Sequence, residues 1–186
     1  MNCRLRPWPR KTLKAMAAVA AALAVAVSVR AAESLRIIPI VNDDEVLVSV
    51  ELTDAYTDVV RETISSGLRT TFSYDVELRM VVPAWIDRTI ATAVVASSDQ
   101  YDNLTRRHSL SRTIDGRVES AVVTEDPAVA KQWLTTLNRL PLCRTSKLEA
   151  GRDYYVRIRA RTRPSGSSLL GWASAIAAQA KFTFIP

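Results

Sequence analysis

Histidine is almost missing: His108 stands alone in 186 residues. A serine or cysteine nucleophile activated by imidazole would have to use that one ring. Its place in an extended run beside Arg106 and Arg107 reads instead as a surface strand residue. Cysteine is nearly missing too. Cys3 and Cys143 are the two present, and no cluster of His and Cys has metal-ligand spacing. Glycine occurs five times and never as G-x-G-x-x-G or a P-loop, so nucleotide binding has no support. Asp43, Asp44 and Glu45 lack the pattern of an EF-hand loop and read as a solvated turn. No pair of carboxylates is singled out for hydrolysis. The expectation is therefore no catalytic residue, no metal and no cofactor.

What is present begins with a leader. Arg4, Arg6, Arg10, Lys11 and Lys14 precede an uncharged run, Ala15 to Val29, rich in Ala and Val. Val29 and Ala31 are small residues at −3 and −1 of a cleavage site. That is the layout of a secretory signal peptide, residues 1–31, removed to leave one domain, 32–186. The run falls short of the ~20 residues of a membrane span. Membrane contact is expected only if the leader is uncleaved and anchors the chain. The expected location is extracytoplasmic, in the periplasm. The whole chain has 25 Lys+Arg against 19 Asp+Glu. Six of those bases, counting Arg30, lie in the leader and no acid does, so 19 of each remain. The basic balance belongs to export and gives no reason to expect nucleic-acid binding. Only Cys143 stays in the mature chain, so the domain is held by packing without an internal disulfide, and this Cys reads as a small buried hydrophobe.

The organising stretch is Leu68 to Val82. Leu68, Phe72, Tyr74, Val76, Leu78, Met80 and Val82 share one parity; Arg69, Asp75, Glu77 and Arg79 share the other. This is a half-buried strand, apolar inward and charged outward, able to template its neighbours. Before it, Leu35–Val41 and Val46–Leu52 read as a hairpin, with Pro39 placing the first run at an edge. Thr53 or Asp54 then caps a helix with Tyr56, Val59, Val60 and Ile64 on one face and Gly67 as its stop. After Pro83, an extended run reaches Ala96, with Ile86, Ile90 and Val94 as core candidates and Ser97 to Gln100 as a turn. Tyr101–Ile114 and Arg117–Thr124 flank Asp115-Gly116, a type I′ hairpin. Asp126 and Pro127 open a second helix, its stripe Val129, Trp133, Leu134 and Leu137, closed by Pro141. Asp153–Arg163 alternates as a strand. Leu169–Ile176 reads as a short helix around Trp172 and Lys181–Ile185 as the last strand. The fold class expected is α+β, mainly antiparallel β, a curled sheet or β-sandwich with two covering α-helices.

Three pieces carry a resemblance. They are Gly67-Leu68 leading into Phe72-Ser73-Tyr74-Asp75-Val76-Glu77-Leu78 with Trp85 after it, then Tyr101-Asp102-Asn103-Leu104-Thr105-Arg106. The third is Leu137-Asn138-Arg139-Leu140-Pro141-Leu142 followed by Leu148-Glu149-Ala150-Gly151-Arg152-Asp153-Tyr154-Tyr155. Together they resemble a family of exported bacterial proteins known only as a domain of unknown function, in many members encoded beside a membrane sensor kinase of the NtrY type. The resemblance implies export and an envelope partner such as that kinase. It implies no activity and no site residues. The C-terminal part departs from the family, with Leu169-Leu170-Gly171-Trp172 where members often have a Pro-rich stretch.

One feature calls for a functional reading. Arg157, Arg159, Arg161 and Arg163 share a strand face at roughly 6.6 Å intervals. They are either solvated and paired with acids such as Asp75, Glu77 or Glu119, or a strip that grips an acidic or phosphate-bearing partner. The leading expectation is a non-enzymatic exported module that binds a partner protein or envelope component. The alternative is a carrier of an apolar ligand between sheet and helices. A deep apolar cavity favours the carrier; a filled core with an exposed groove or edge strand favours the module.

Overall fold

Strand β3, Thr70–Met80, alternates buried and half-buried residues without a break along its length. Thr70, Phe72, Tyr74, Val76, Leu78 and Met80 face the core, and all are nearly inaccessible. The computed structural model describes residues 35–42, 44–164 and 175–185. Leu68, expected on this strand, precedes it and is half-exposed. The expected leader, residues 1–31, lies outside the described residues.

The other strands are β1 (Leu35–Val41), β2 (Glu45–Leu52), β4 (Arg88–Asp102), β5 (Arg107–Ile114), β6 (Arg117–Thr124), β7 (Thr136–Arg144), β8 (Asp153–Pro164) and β9 (Ala175–Thr183). They form two antiparallel sheets: β1-β2-β7, and β6-β5-β4-β3-β8-β9. Helices α1 (Asp58–Ser65) and α2 (Pro127–Thr135) complete an α+β sandwich. Val46, Val48 and Val50 of β2 meet Tyr74, Val76 and Ile158 of the large sheet in one continuous core. Pro39 does lie on an edge strand, β1, where its missing N–H costs nothing.

Helix α1 starts later than expected. Thr57, not Thr53 or Asp54, is the cap, its Oγ1 accepting from Val60 N at 3.3 Å. Only Ile64 of this short helix is buried, and Val59 is exposed. Gly67 ends it at φ +84°, a conformation that strains any residue with a Cβ.

The larger correction concerns α2. Asp126 caps it, accepting from Ala128 N at 2.8 Å, and Ala130 and Leu134 pack inward. It ends at Thr135, and Thr136 is already extended. Leu137, expected on the helix, is a buried residue of β7, and Pro141 lies inside that strand. The junction is held from outside. Tyr74 Oη donates to Leu134 O, and Arg112 Nη2 donates to Trp133 O and Thr136 O at 2.7 and 3.0 Å. These donors satisfy carbonyls that another helical turn would have used, so the chain is free to leave the helix. Pro141 is tolerated because β7 is an edge strand and the pairing skips a residue beside it, between Leu47↔Pro141 and Val46↔Cys143.

Strand β4 contradicts the expected turn at Ser97–Gln100, where it runs on unbroken. Ser97 and Asp99 point inward and are fully buried. Ser97 Oγ accepts from Arg112 Nε at 3.1 Å, and Asp99 pairs with His108, so polar residues survive there by being satisfied. The true turn follows Asp102, whose Oδ1 accepts from Leu104 N at 2.8 Å. A register shift opposite Leu78 and Arg79 leaves Ile90 as an extra residue and resets the parity of β4. Ala93 and Val95 therefore face the core. Val94 and Ile86, expected there, are exposed, while Ile90 stays half-buried against the core.

The Asp115-Gly116 hairpin has positive φ at both residues, 49° and 79°, as a type I′ turn requires. The last strand begins at Ala175 rather than Lys181, so residues 175–176 are strand and not helix; 169–174 lie outside the described residues.

A candidate binding face

Antiparallel registry fixes which side chains share the outer face of the large sheet. On β8, Arg157 lies opposite Glu77 of β3, Arg159 opposite Asp75, and Arg161 opposite Ser73. Because successive residues alternate in direction, the buried row Tyr154, Val156, Ile158 and Ala160 forces the arginines outward. The helices pack on the other side, where Tyr74 and Arg112 hold α2.

The stripe is unevenly neutralised. Arg161 Nη2 reaches diagonally to Asp75 Oδ2 at 3.4 Å. Glu77 is engaged by Arg79 of its own strand at 3.9 Å. Arg157 stacks over the Tyr155 ring, 5.6 Å from its centroid. Arg159 is exposed and has no ion-pair partner among the described residues. Half-exposed pairs of this kind contribute on the order of 0–1 kcal/mol each, so the stripe is not needed for folding. Glu119, considered as a neutralising acid, lies on β6, three strands from β3, and does not serve. The side chain of Arg163 lies outside the described residues.

Tyr155 departs from its expected place among solvated residues: it points outward but is buried. The loop after β3 folds over it. Its hydroxyl donates to Asp87 Oδ2 at 2.8 Å, Val82 N donates to Asp87 Oδ1 at 3.3 Å, and Arg79 Nη2 donates to Asp87 O at 2.9 Å. The Tyr155 hydrogen bond, followed by that from Val82, holds the Asp87 carboxyl below its usual pKa. The loop closes one end of the face. Arg79 Nε is left buried without a hydrogen-bond partner among the described residues.

His108 overturns the surface reading. It is buried on the inner face, with Nδ1 at 2.9 Å from Asp99 Oδ2 and its ring 4.7 Å from that of Tyr101. Burial pushes the Asp99 carboxyl up, and His108 partly offsets this. The pair ties β4 to β5 next to their turn. Sequence reasoning missed it because it placed the turn at Ser97–Gln100. A turn centred on Asn103–Arg106 sets Asp99 and His108 on the same face of adjoining strands.

No three of His, Cys, Asp and Glu converge as a metal site among the described residues. No helix among them is long and apolar enough to cross a membrane. Cys143 is half-buried, and burial raises its pKa, which disfavours the thiolate.

No curated protein matches the chain, and no solved structure does. A family model described as Domain of unknown function (DUF4390) matches residues 31–169. The chain belongs to that family.

Proposed function

We propose that this DUF4390 domain is an exported, non-enzymatic module that uses the outer face of its large sheet to hold an acidic or phosphate-bearing partner in the bacterial envelope. A membrane sensor kinase, the neighbour that the resemblance implies, is a fitting partner class. The observation that carries the reading is Arg159, exposed and without an ion-pair partner among the described residues, between Arg157 and Arg161 on a face to which neither helix packs. Arginine clusters of this geometry suit bidentate contact with carboxylate or phosphate.

The carrier reading has less support. Phe72, Tyr74 and Tyr154 fill the space between the sheets and are essentially inaccessible. The groove of about 350 Å³ lies on the outer face of the large sheet, with Arg69 and Gln100 in its walls, and that of about 620 Å³ is bordered by Asn42, Thr145 and Ser146; neither is lined by α1 or α2.

The test is retention of the purified domain on envelope extract and on anionic liposomes across a salt series, wild type against Arg159→Gln/Arg161→Gln. The double variant should bind more weakly, with the largest loss at low salt, where charge is least screened. Equal retention at every salt, with an intact fold by circular dichroism, would return the arginines to a solvating role.

A further inference from the structure

At the other end of the same face, two cross-strand rows run to the sheet edge: Ser98–Ser111–Ala121 and Gln100–Ser109–Val123. Ser109, Ser111 and Ala121 of these rows, with Gln100 and Val123, line a groove of about 350 Å³, and Arg69 forms one wall. The arginine is held in place. Its Nη2 donates to Ser98 Oγ at 3.0 Å and Ser111 Oγ at 3.1 Å, and the two hydroxyls are 2.7 Å apart. Both Nη2 hydrogens are thereby used, leaving those of Nε and Nη1 for a ligand. No carboxylate among the described residues pairs with Arg69. A fixed, exposed guanidinium beside a serine hydroxyl and a glutamine amide is suited to a carboxylate.

The groove ends at β6, the edge strand of the sheet. Edge strands offer unpaired backbone groups to any extended chain, and proteins blunt them with bulges, proline or lysine. Here the defence is local. Glu119 is the extra residue of a bulge between Arg112↔Ser120 and Thr113↔Val118. Beyond it Ser120–Thr124 runs straight, without proline or charge, and Val122 and Val123 are exposed. The undefended part of the edge is the part that borders the groove.

We propose that an extended acidic segment of a partner polypeptide adds to Ser120–Thr124 as a further antiparallel or parallel strand and directs a carboxylate into the groove toward Arg69. Main-chain hydrogen bonds supply affinity in such strand addition, and the pocket supplies specificity. The inference rests on the reading of this face as a partner surface, but it is carried by residues outside the stripe.

The probe is a capped hexapeptide of alternating Val and Thr with one central Glu, and its counterpart with Gln in that place. Binding is followed by chemical shifts of labelled protein. The Glu peptide should shift the amides of Ala121–Thr124 and the Arg69 side chain, and bind about tenfold more tightly than the Gln peptide. Arg69→Gln should erase that preference, and Arg69→Lys, which keeps charge without the fork, should weaken it. Arg159→Gln/Arg161→Gln should leave it unchanged, so failure of the stripe and failure of the groove are separately visible. Equal binding of the two peptides overturns the proposal. So does a response of Arg69 to inorganic phosphate with no peptide-induced shift along β6, which would mark a simple anion site.

Discussion

Replacing Arg112 by Met tests whether the helix-to-strand junction is held from outside. The guanidinium, half-buried under α2, donates to Trp133 O, Thr136 O and Ser97 Oγ and stacks 4.4 Å from the centroid of the Trp133 ring. Methionine fills similar space and removes every donor. Each of the two carbonyls losing a charged donor costs roughly 1.5–3 kcal/mol. The stacked cation contributes about 0.5–1 kcal/mol more. Against this stands the desolvation of a cation whose own pKa is lowered by burial, a cost that the variant no longer bears. A net loss of about 3 kcal/mol is expected, which for a domain of this size lowers Tm by roughly 6–12 °C. Urea melts of wild type, Arg112→Met and the exposed control Arg117→Met measure it. Tyr74→Phe, which removes only the donor to Leu134 O, should fall between. An Arg112→Met midpoint equal to that of the control would refute the reasoning and return the helix ending to local sequence.

Leu78→Ala empties a fully buried site on β3 and should cost about 2–5 kcal/mol in denaturant unfolding. An unchanged midpoint would mean the faces of the strand are reversed. Asp87 has a folded pKa below its ordinary 3.8, so its contribution is present above that value and lost as pH falls through the lower folded one. The stability advantage of wild type over Asp87→Asn should accordingly shrink as pH falls from about 5 through the ordinary carboxylate range and below it in paired urea melts. A gap independent of pH would show that the carboxylate charge is not what Tyr155 and Val82 hold. Export predicts that mass spectrometry of the native protein finds an N-terminus near Ala32, and an intact Met1 would refute cleavage.

The parts legible in the sequence are those where one local rule acted alone. β3 alternates because one face is buried along its whole length, and β8 because its inner face is buried from Tyr154 to Ala160, and binary pattern reports that directly. Asp115-Gly116 and Asp126-Pro127 state their own backbone geometry. Where two elements negotiate, the pattern misled. Thr136–Arg144 has Leu137 and Leu140 at a spacing that continues the helical stripe of Ala130 and Leu134, and pairing with β2, together with Arg112 and Tyr74, all distant in the chain, selects the strand. Ser97, Ser98 and Asp99 have turn composition, and pairing with β3 together with partners on β5 and Arg69 makes them a strand.

The same division runs through the candidate surface. The arginine stripe was visible because its period matches the strand, but its neutralisation was not. Registry places Asp75 directly opposite Arg159, yet the ion pair forms diagonally with Arg161, and Glu77 turns to Arg79. Arg159 thus has no ion-pair partner among the described residues although the face holds acids. The Arg69 groove had no sequence signal, since it needs Ser98 and Ser111 to meet across two strands and β6 to end the sheet. Net charge cannot reveal either feature: an even balance of acids and bases over residues 32–186 is compatible with a guanidinium fixed where no carboxylate of the described residues pairs with it. Binding surfaces built on a sheet are therefore properties of registry, and the residues to test are those whose charge registry leaves over.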